Sequence, residues 1–248
     1  MAPTLRCDGR RPLQVPIFPM DAEDRSYDVV IVGGAVMGCA VAYFLAGDPD
    51  FDGRILVVER DPGYGACATT RSWGGIRQQF STPQNVRMSL FGATFAREAG
   101  ALLAVDGQVP ELAFREAGYL FLASAAGRAT LAANVRLQCD LGADIALLDP
   151  PALAARFAWL NLDGVAAGAL GLRNEGWIDP AALLHALRRK ARALGVTFAH
   201  DTVSGFGRAG GRISAVHLLR GGSVACGAVV NAAGPQAGAL ARLAGLDL

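Results

Sequence analysis

The chain has 248 residues, 52% of them hydrophobic, with 23 Lys and Arg against 22 Asp and Glu for a formal charge of +1. That composition suffices to bury a core and excludes a disordered segment, while the near-zero charge gives no electrostatic basis for binding nucleic acid or an anionic membrane. The five cysteines (Cys7, Cys39, Cys67, Cys139, Cys226) include no Cys-x-x-Cys pair, so neither a disulfide framework nor a zinc site is indicated, and a reducing cytoplasm is the default expectation.

Residues 1–26 mix Arg6, Arg10, Arg11 and Arg25 with prolines and four acids. They have neither the apolar core of a signal peptide nor the acid-poor amphipathic helix of a transit peptide, and read as a loose extension. Residues 27–32 (Tyr-Asp-Val-Val-Ile-Val) are a β-branched run of the kind a parallel strand buried on both faces needs. Gly33-Gly34-Ala35-Val36-Met37-Gly38 then fits Gly-x-Gly-x-x-Gly with Ala35 at the second glycine, and residues 36–46 continue as an apolar helix. Residues 54–59 are the next strand and end on Glu59, 21 residues past Gly38.

Each part has a task if a dinucleotide sits there. Gly33 permits a tight turn, a small residue at 35 lets a pyrophosphate approach the backbone, and Gly38 lets the helix pack close. The helix amino end favours an anion, and Glu59 is placed to accept from ribose hydroxyls. The methyl of Ala35 either holds the phosphate further out or shifts the turn onto Gly34. Residues 29–47 are 19 without a charge, the length of a membrane span. The flanking Asp28 and Asp48 and the paired glycines argue instead for a strand, turn and helix in an α/β core.

Residues 60–65 are turn-rich. Residues 69–80 (Thr-Thr-Arg-Ser-Trp-Gly-Gly-Ile-Arg-Gln-Gln-Phe) offer hydroxyls and backbone N–H groups to a phosphate or flavin ring, or form a plain polar loop. A helix is expected over 83–100, capped by Ser81 or Thr82 with Val86, Leu90 and Phe91 at helical spacing. There follow a strand over 116–123, a helix over 125–141, a short strand over 144–148, a helix from Pro150-Pro151 to Phe157, and a strand over 165–172. Asp179 caps and Pro180 begins a long helix over 181–194. Its apolar stripe is Leu183, Leu184, Leu187 and Ala191, and its basic face, Arg188, Arg189, Lys190 and Arg192, reads as solvated surface. Strands are expected over 196–199, 203–208, 212–219 (with Gly210-Gly211 as hairpin turn) and 225–230. The last enters Asn231-Ala232-Ala233-Gly234-Pro235, a small-residue turn open to close approach by a ligand, then a short helix to Ala244. His185, His200 and His217 have no ligand spacing and no evident partner, and Cys67 is assigned no role.

Together the 27–38 run, Val57-Val58-Glu59-Arg60, the 72–80 run, Asp179-Pro180 and the 231–235 turn resemble the FAD-dependent amino-acid and amine oxidoreductases of the D-amino-acid oxidase and sarcosine oxidase type. The Gly-Gly-Ile-Arg-Gln-Gln-Phe run is most similar to members near the FOXRED group. The resemblance implies a doubly wound, Rossmann-like FAD-binding α/β domain, built from 27–100 and 174–248 around an inserted, incomplete mixed α+β substrate domain (101–173). It implies that Gly33, Gly34, Ala35, Val36, Met37 and Gly38 hold the FAD pyrophosphate and Glu59 and Arg60 the adenosine. Thr69, Ser72, Gly74, Gly75 and Ile76 would run beside the pyrophosphate and flavin, Val203 would meet the adenine, and Ala232, Ala233 and Gly234 would close over the cofactor. Gln236 departs from the tryptophan usual there, and family members are longer, so a truncated member is expected.

The implied activity is oxidation of the CH-NH bond of an amino acid or secondary amine by hydride transfer to flavin N5, with reoxidation by oxygen or an electron carrier. Its partners would be a small-molecule amine and that acceptor, with no nucleic acid and no transmembrane segment. Arg77 is the motif arginine that suits a substrate carboxylate, with a structural arginine pairing to a nearby backbone carbonyl as the equal alternative. The alternatives are a catalytically silent FAD-binding fragment and an NAD-dependent dehydrogenase, which the first turn and Glu59 alone would allow.

Overall fold

The computed structural model describes residues 26–247, so all of the expected N-terminal extension except Ser26 lies outside the described residues. The first three elements are β1 (Ser26–Val32), α1 (Val36–Ala46) and β2 (Ile55–Glu59). Far along the chain come β9 (Thr197–His200), β10 (Val203–Ala209), β11 (Arg212–Leu218) and β12 (Gly222–Asn231). These strands form one six-stranded sheet in the order β10-β11-β12-β1-β2-β9. Neighbours from β12 to β9 are parallel, and β10-β11-β12 is an antiparallel meander. β1 and β2 are therefore flanked on both sides by strands from the other end of the chain, which is how the two sequence segments become one fold.

The β-branched runs are buried on both faces. Val29, Ile31, Ile55 and Val57 pack with Ala42 of α1 and with Ala191 and Val196. Val30, Val32, Leu56 and Val58 pack with Val203, Val216, Leu218, Val224 and Leu240. The first face is covered by α1 and α5 (Pro180–Ala193), which pack together, and the second by the meander and α6 (Ala237–Leu243). Asp179 caps α5 by accepting from the N–H groups of Ala181 (2.8 Å) and Ala182 (3.0 Å), with Pro180 next. The basic face of α5 is docked on neighbouring groups, with Arg188, Arg189 and Lys190 half-buried and Arg192 exposed. Arg188 lies over the Tyr64 and Phe198 rings, Arg192 over Phe198, Arg189 donates to Gln108, and Lys190 to the Ala104 carbonyl. The long stems of Arg188 and Arg192 cover aromatic surface that a shorter side chain would leave wet.

Between β2 and α5 lie β3 (Gly75–Ile76), α2 (Pro83–Leu102), β4 (Arg115–Glu116), β5 (Leu120–Ala123), α3 (Arg128–Asp140), β6 (Ile145–Leu148), α4 (Pro150–Arg156), β7 (Ala167–Gly171) and β8 (Gly176–Trp177). β5-β7-β6 is one antiparallel sheet and β3-β8-β4 a second, smaller one. Three expectations are corrected. The strand over 116–123 is two, β4 and β5, because Gly118 adopts a φ of +75° and its N–H bonds the Glu175 carbonyl. Thr82 precedes α2 without a side-chain cap, and Phe91 is exposed while Val86 and alanines face the core. β3 and β8 were not expected, since two-residue strands carry no periodicity. No helix among the described residues is long and apolar enough to cross a membrane.

Candidate functional site

A cleft of about 400 Å³ opens at the carboxyl ends of β1, β2 and β12, beside the start of β10. This is where an open parallel sheet leaves a crevice for a ligand. Gly33, Ala35 and Met37 line it from the β1-α1 turn, Glu59 and Arg60 from β2, Thr69 from the following loop, Val203 from β10, and Ala232, Ala233 and Gly234 from the end of β12.

The turn itself is held by the acid expected to serve the ligand. Glu59 accepts from the Gly34 N–H through Oε2 (2.7 Å) and from the Asp61 N–H through Oε1 (2.8 Å). Gly34 consequently faces β2, its Cα hydrogens against Glu59 and Val57, and the turn does not shift to use it. Ala35 keeps the cleft position. Gly33 has a φ of +102°, and a Cβ there would lie 2.3 Å from the Ala232 carbonyl oxygen. At Gly38, a Cβ would meet the Gly33 carbonyl oxygen at 1.8 Å, so Gly38 serves packing and does not line the cleft. Val36 also stays out of it, its N–H donating to the Thr69 hydroxyl (3.3 Å).

The N-cap residue of α1, Ala35, has no side chain to cap the first turn, where the Val36 N–H alone is taken by the Thr69 hydroxyl, and Ala35 and Met37 border the cleft. The other first-turn N–H groups, with the positive end of the helix dipole, suit a pyrophosphate. With a carboxylate on the facing rim and an apolar wall of Val203, Leu240 and Leu243, the donors and acceptors present fit an adenine dinucleotide. Beneath the turn, Cys39 donates from Sγ to the Gly34 carbonyl (3.0 Å); burial first, then nearby Glu59, push its thiol up to about 12 against Arg188 and Arg192. Burial likewise raises Tyr64, whose hydroxyl has no partner.

Ser72, Gly74, Gly75 and Ile76 are not brought to the cleft. Ser72 Oγ accepts from Gly74 N (3.0 Å), Ile178 N donates to Gly74 O (3.0 Å), and Gly75-Ile76 pair with β8. Trp73, in the same loop, is 95% exposed. Asp201 was missed by the sequence reading although it lines the cleft: its buried carboxylate accepts from Thr202 N (2.7 Å), Arg220 N (3.2 Å) and Gly221 N (2.8 Å), tying the β11-β12 turn to the start of β10. The signal was an acid at a strand end beside a Thr, in a turn context. His200 donates from Nε2 to the Arg60 carbonyl (3.0 Å), His185 lies edge-on to Tyr64, and His217 is an exposed strand residue. No three His, Cys, Asp or Glu among the described residues could hold a metal ion.

Strand, glycine turn, helix, acid and crevice define a dinucleotide-binding α/β protein. Residues 28–248 match the family described as FAD dependent oxidoreductase, and the chain belongs to that family, whose cofactor is FAD. It is 45% identical over 240 residues to FAD-dependent oxidoreductase domain-containing protein 1 of Bos taurus, covering 88% of this chain and 49% of the relative. It is 41% identical over 241 residues to the Mus musculus protein of that name, covering 88% and 50%. The chain thus spans about half the length of the curated relatives it matches. Among solved structures, L-proline dehydrogenase from P. horikoshii superposes with a TM-score of 0.76 at 25% identity, covering 90% of this chain and 56% of that one. L-amino acid deaminase from Proteus myxofaciens shares the fold with a TM-score of 0.74 at 22% identity, covering 90% and 49%.

Proposed function

We propose that the protein oxidises the CH-NH bond of an amino acid or secondary amine. The cleft carries the cofactor half of this reading. Gly33, Ala35, Met37 and the α1 amino end would hold the pyrophosphate, Glu59 and Arg60 the adenosine ribose, Val203 the adenine, and Ala232 to Gly234 the cleft's far lip. The loop from Thr69 through Ser72, Gly74, Gly75 and Ile76 would lead towards the flavin end. FAD, when bound, supplies the two-electron acceptor for hydride from the substrate's α-carbon. The protein's own contribution is orientation: Arg77, whose guanidinium lies 4.9 Å from the Phe80 ring centroid and 5.5 Å from that of Phe121, would take the substrate carboxylate with two parallel hydrogen bonds.

In domain terms, 27–100 and 174–248 would form the cofactor domain and 101–173 the substrate domain. The neighbours named for L-proline and L-amino acids support an amino-acid substrate. Unpaired Cys39, Cys67, Cys139 and Cys226 support the cytoplasm or another reducing compartment. The test is the visible spectrum of the purified chain with FAD, before and after anaerobic addition of L-proline, N-methyl and D-amino acids. Flavin bands that bleach with one of them establish the reading, and admitting oxygen or a carrier dye then identifies the acceptor. A silent FAD binder is favoured by the contrast between a cleft with many converging groups and a substrate side with one named candidate, Arg77. Bands that no amine bleaches select it.

A further inference from the structure

Glu175 is wholly buried, and it stands outside the cofactor cleft. Its Oε1 accepts from the N–H groups of Gln78 (2.7 Å) and Gln79 (3.2 Å); its Oε2 accepts from Gln79 Nε2 (2.9 Å) and the Tyr119 N–H (3.2 Å). All four partners are N–H donors and none is a cation, so the site is built for an acceptor on both oxygens. The chain makes room for it: a Cβ at Gly171 would fall 1.8 Å from Oε2.

What this carboxylate holds is the seat of Arg77. The peptide bond after Arg77 is fixed at both ends, its N–H by Glu175 and its carbonyl by the Ser89 hydroxyl. The guanidinium rests on Phe80 and on Phe121 of β5. Tyr119, which leads into β5, is tied to Glu175 through its N–H and to Gln79 Nε2 through its carbonyl (2.9 Å). One carboxylate therefore fixes both the loop that carries the guanidinium and the strand that carries a ring beneath it. Among the described residues no carboxylate lies within ion-pair distance of Arg77, which leaves its donors for a ligand.

We infer that Glu175 is a positioning residue for the substrate side: it sets Arg77 on its aromatic seat so that the guanidinium can take the carboxylate of an amino-acid substrate. This rests on the reading of Arg77 given above. An amide cannot replace it, because Glu175→Gln turns one acceptor into a donor facing N–H groups.

The experiment compares the full chain with Glu175→Gln, Arg77→Met and the double variant. Affinity for anthranilate, a small aromatic carboxylate, is measured by calorimetry at saturating FAD, alongside FAD affinity and amide hydrogen exchange. Glu175→Gln is expected to speed exchange at Gln78, Gln79 and Tyr119 and to weaken anthranilate, each about tenfold, the scale of a lost charge-assisted hydrogen bond. Exchange in β1, β2 and α1 and the affinity for FAD should not move. In the Arg77→Met background the second substitution should weaken anthranilate no further, since the two act as one unit. Equal weakening in both backgrounds, or none, overturns the role of Glu175 while leaving Arg77 standing. If Arg77→Met alone leaves anthranilate binding intact, the reading of Arg77 fails and this inference with it. Should Glu175→Gln not fold, Gln79→Met, which keeps the backbone donors, must reproduce the localised pattern at smaller size; if it does not, the inference is overturned.

Discussion

In the cleft the lining is mostly backbone and small side chains from neighbouring turns, and its two organising acids reach only short distances along the chain, Glu59 to Gly34 and Asp61 and Asp201 to Thr202, Arg220 and Gly221. At the Arg77 junction the organising acid, Glu175, gathers N–H groups from residues 56 to 97 positions away. The first is a local device, set by strand-turn-helix geometry; the second exists only once three segments have met. Damage to the cleft should therefore strike the fold's central sheet, and damage to the junction should remain around Gln78, Gln79 and Tyr119.

The largest expected effect is at Gly38. Gly38→Val places side-chain atoms against the Gly33 carbonyl in the middle of the β1-α1 unit, and should cost more than about 4 kcal/mol and leave little folded protein by denaturant titration. Next is Glu59→Gln, which gives one of the two N–H partners a donor to face. FAD affinity should fall roughly tenfold to a hundredfold in fluorescence titration, with exchange at Gln78 and Gln79 unchanged; accelerated exchange there would erase the separation between the two regions.

A smaller effect is expected from the thiols. Cys39, raised by burial, holds its proton in the folded chain up to about 12 but ionises from 9.0 when exposed by unfolding. Its contribution to stability is thus complete below pH 9.0 and is lost as pH climbs towards 12, and a Cys39→Ala chain should lose that alkaline slope. At pH 8, iodoacetamide should label exposed Cys139 and the cleft residue Cys67 but not Cys39, with FAD protecting Cys67 alone. The smallest effect belongs to Glu116, held below the usual carboxylate range by the Asn174 N–H and then by Arg97. That contribution is present above the ordinary value of 4.5 and fades as pH falls below it, so Glu116→Gln should flatten the acid limb of the stability curve slightly.

The cleft was legible because its signals are short in sequence. Residues 27–38, Glu59 and the 231–235 turn each encode their own backbone geometry, and Gly33, Ala35, Met37, Glu59, Arg60, Thr69, Val203 and Ala232 to Gly234 line one cleft. Gly34, Val36 and Gly38 belong to the same turn but face away from the cleft, a distinction of side-chain direction that spacing does not carry. Glu175 was visible only as a residue before a capped helix. Nothing local tells a buried acceptor from a surface acid when its donors come from Gln78, Gln79 and Tyr119. The basic face of α5 misled for the same reason, since Arg188 and Arg192 are docked by Tyr64 and Phe198, residues that no helical period relates to them.

By itself the sequence determined the long strands of the central sheet, the start of α5 and the glycine turn, because β-branched runs, Asp179-Pro180 and Gly33 constrain φ and ψ within a few residues. Only the tertiary structure decided which strands became neighbours, which way each turn residue faced, and which acid was buried. Those outcomes depend on apolar faces and N–H donors brought together from distant segments, and hydrogen bonds of that kind form only after the packing that removes water from them.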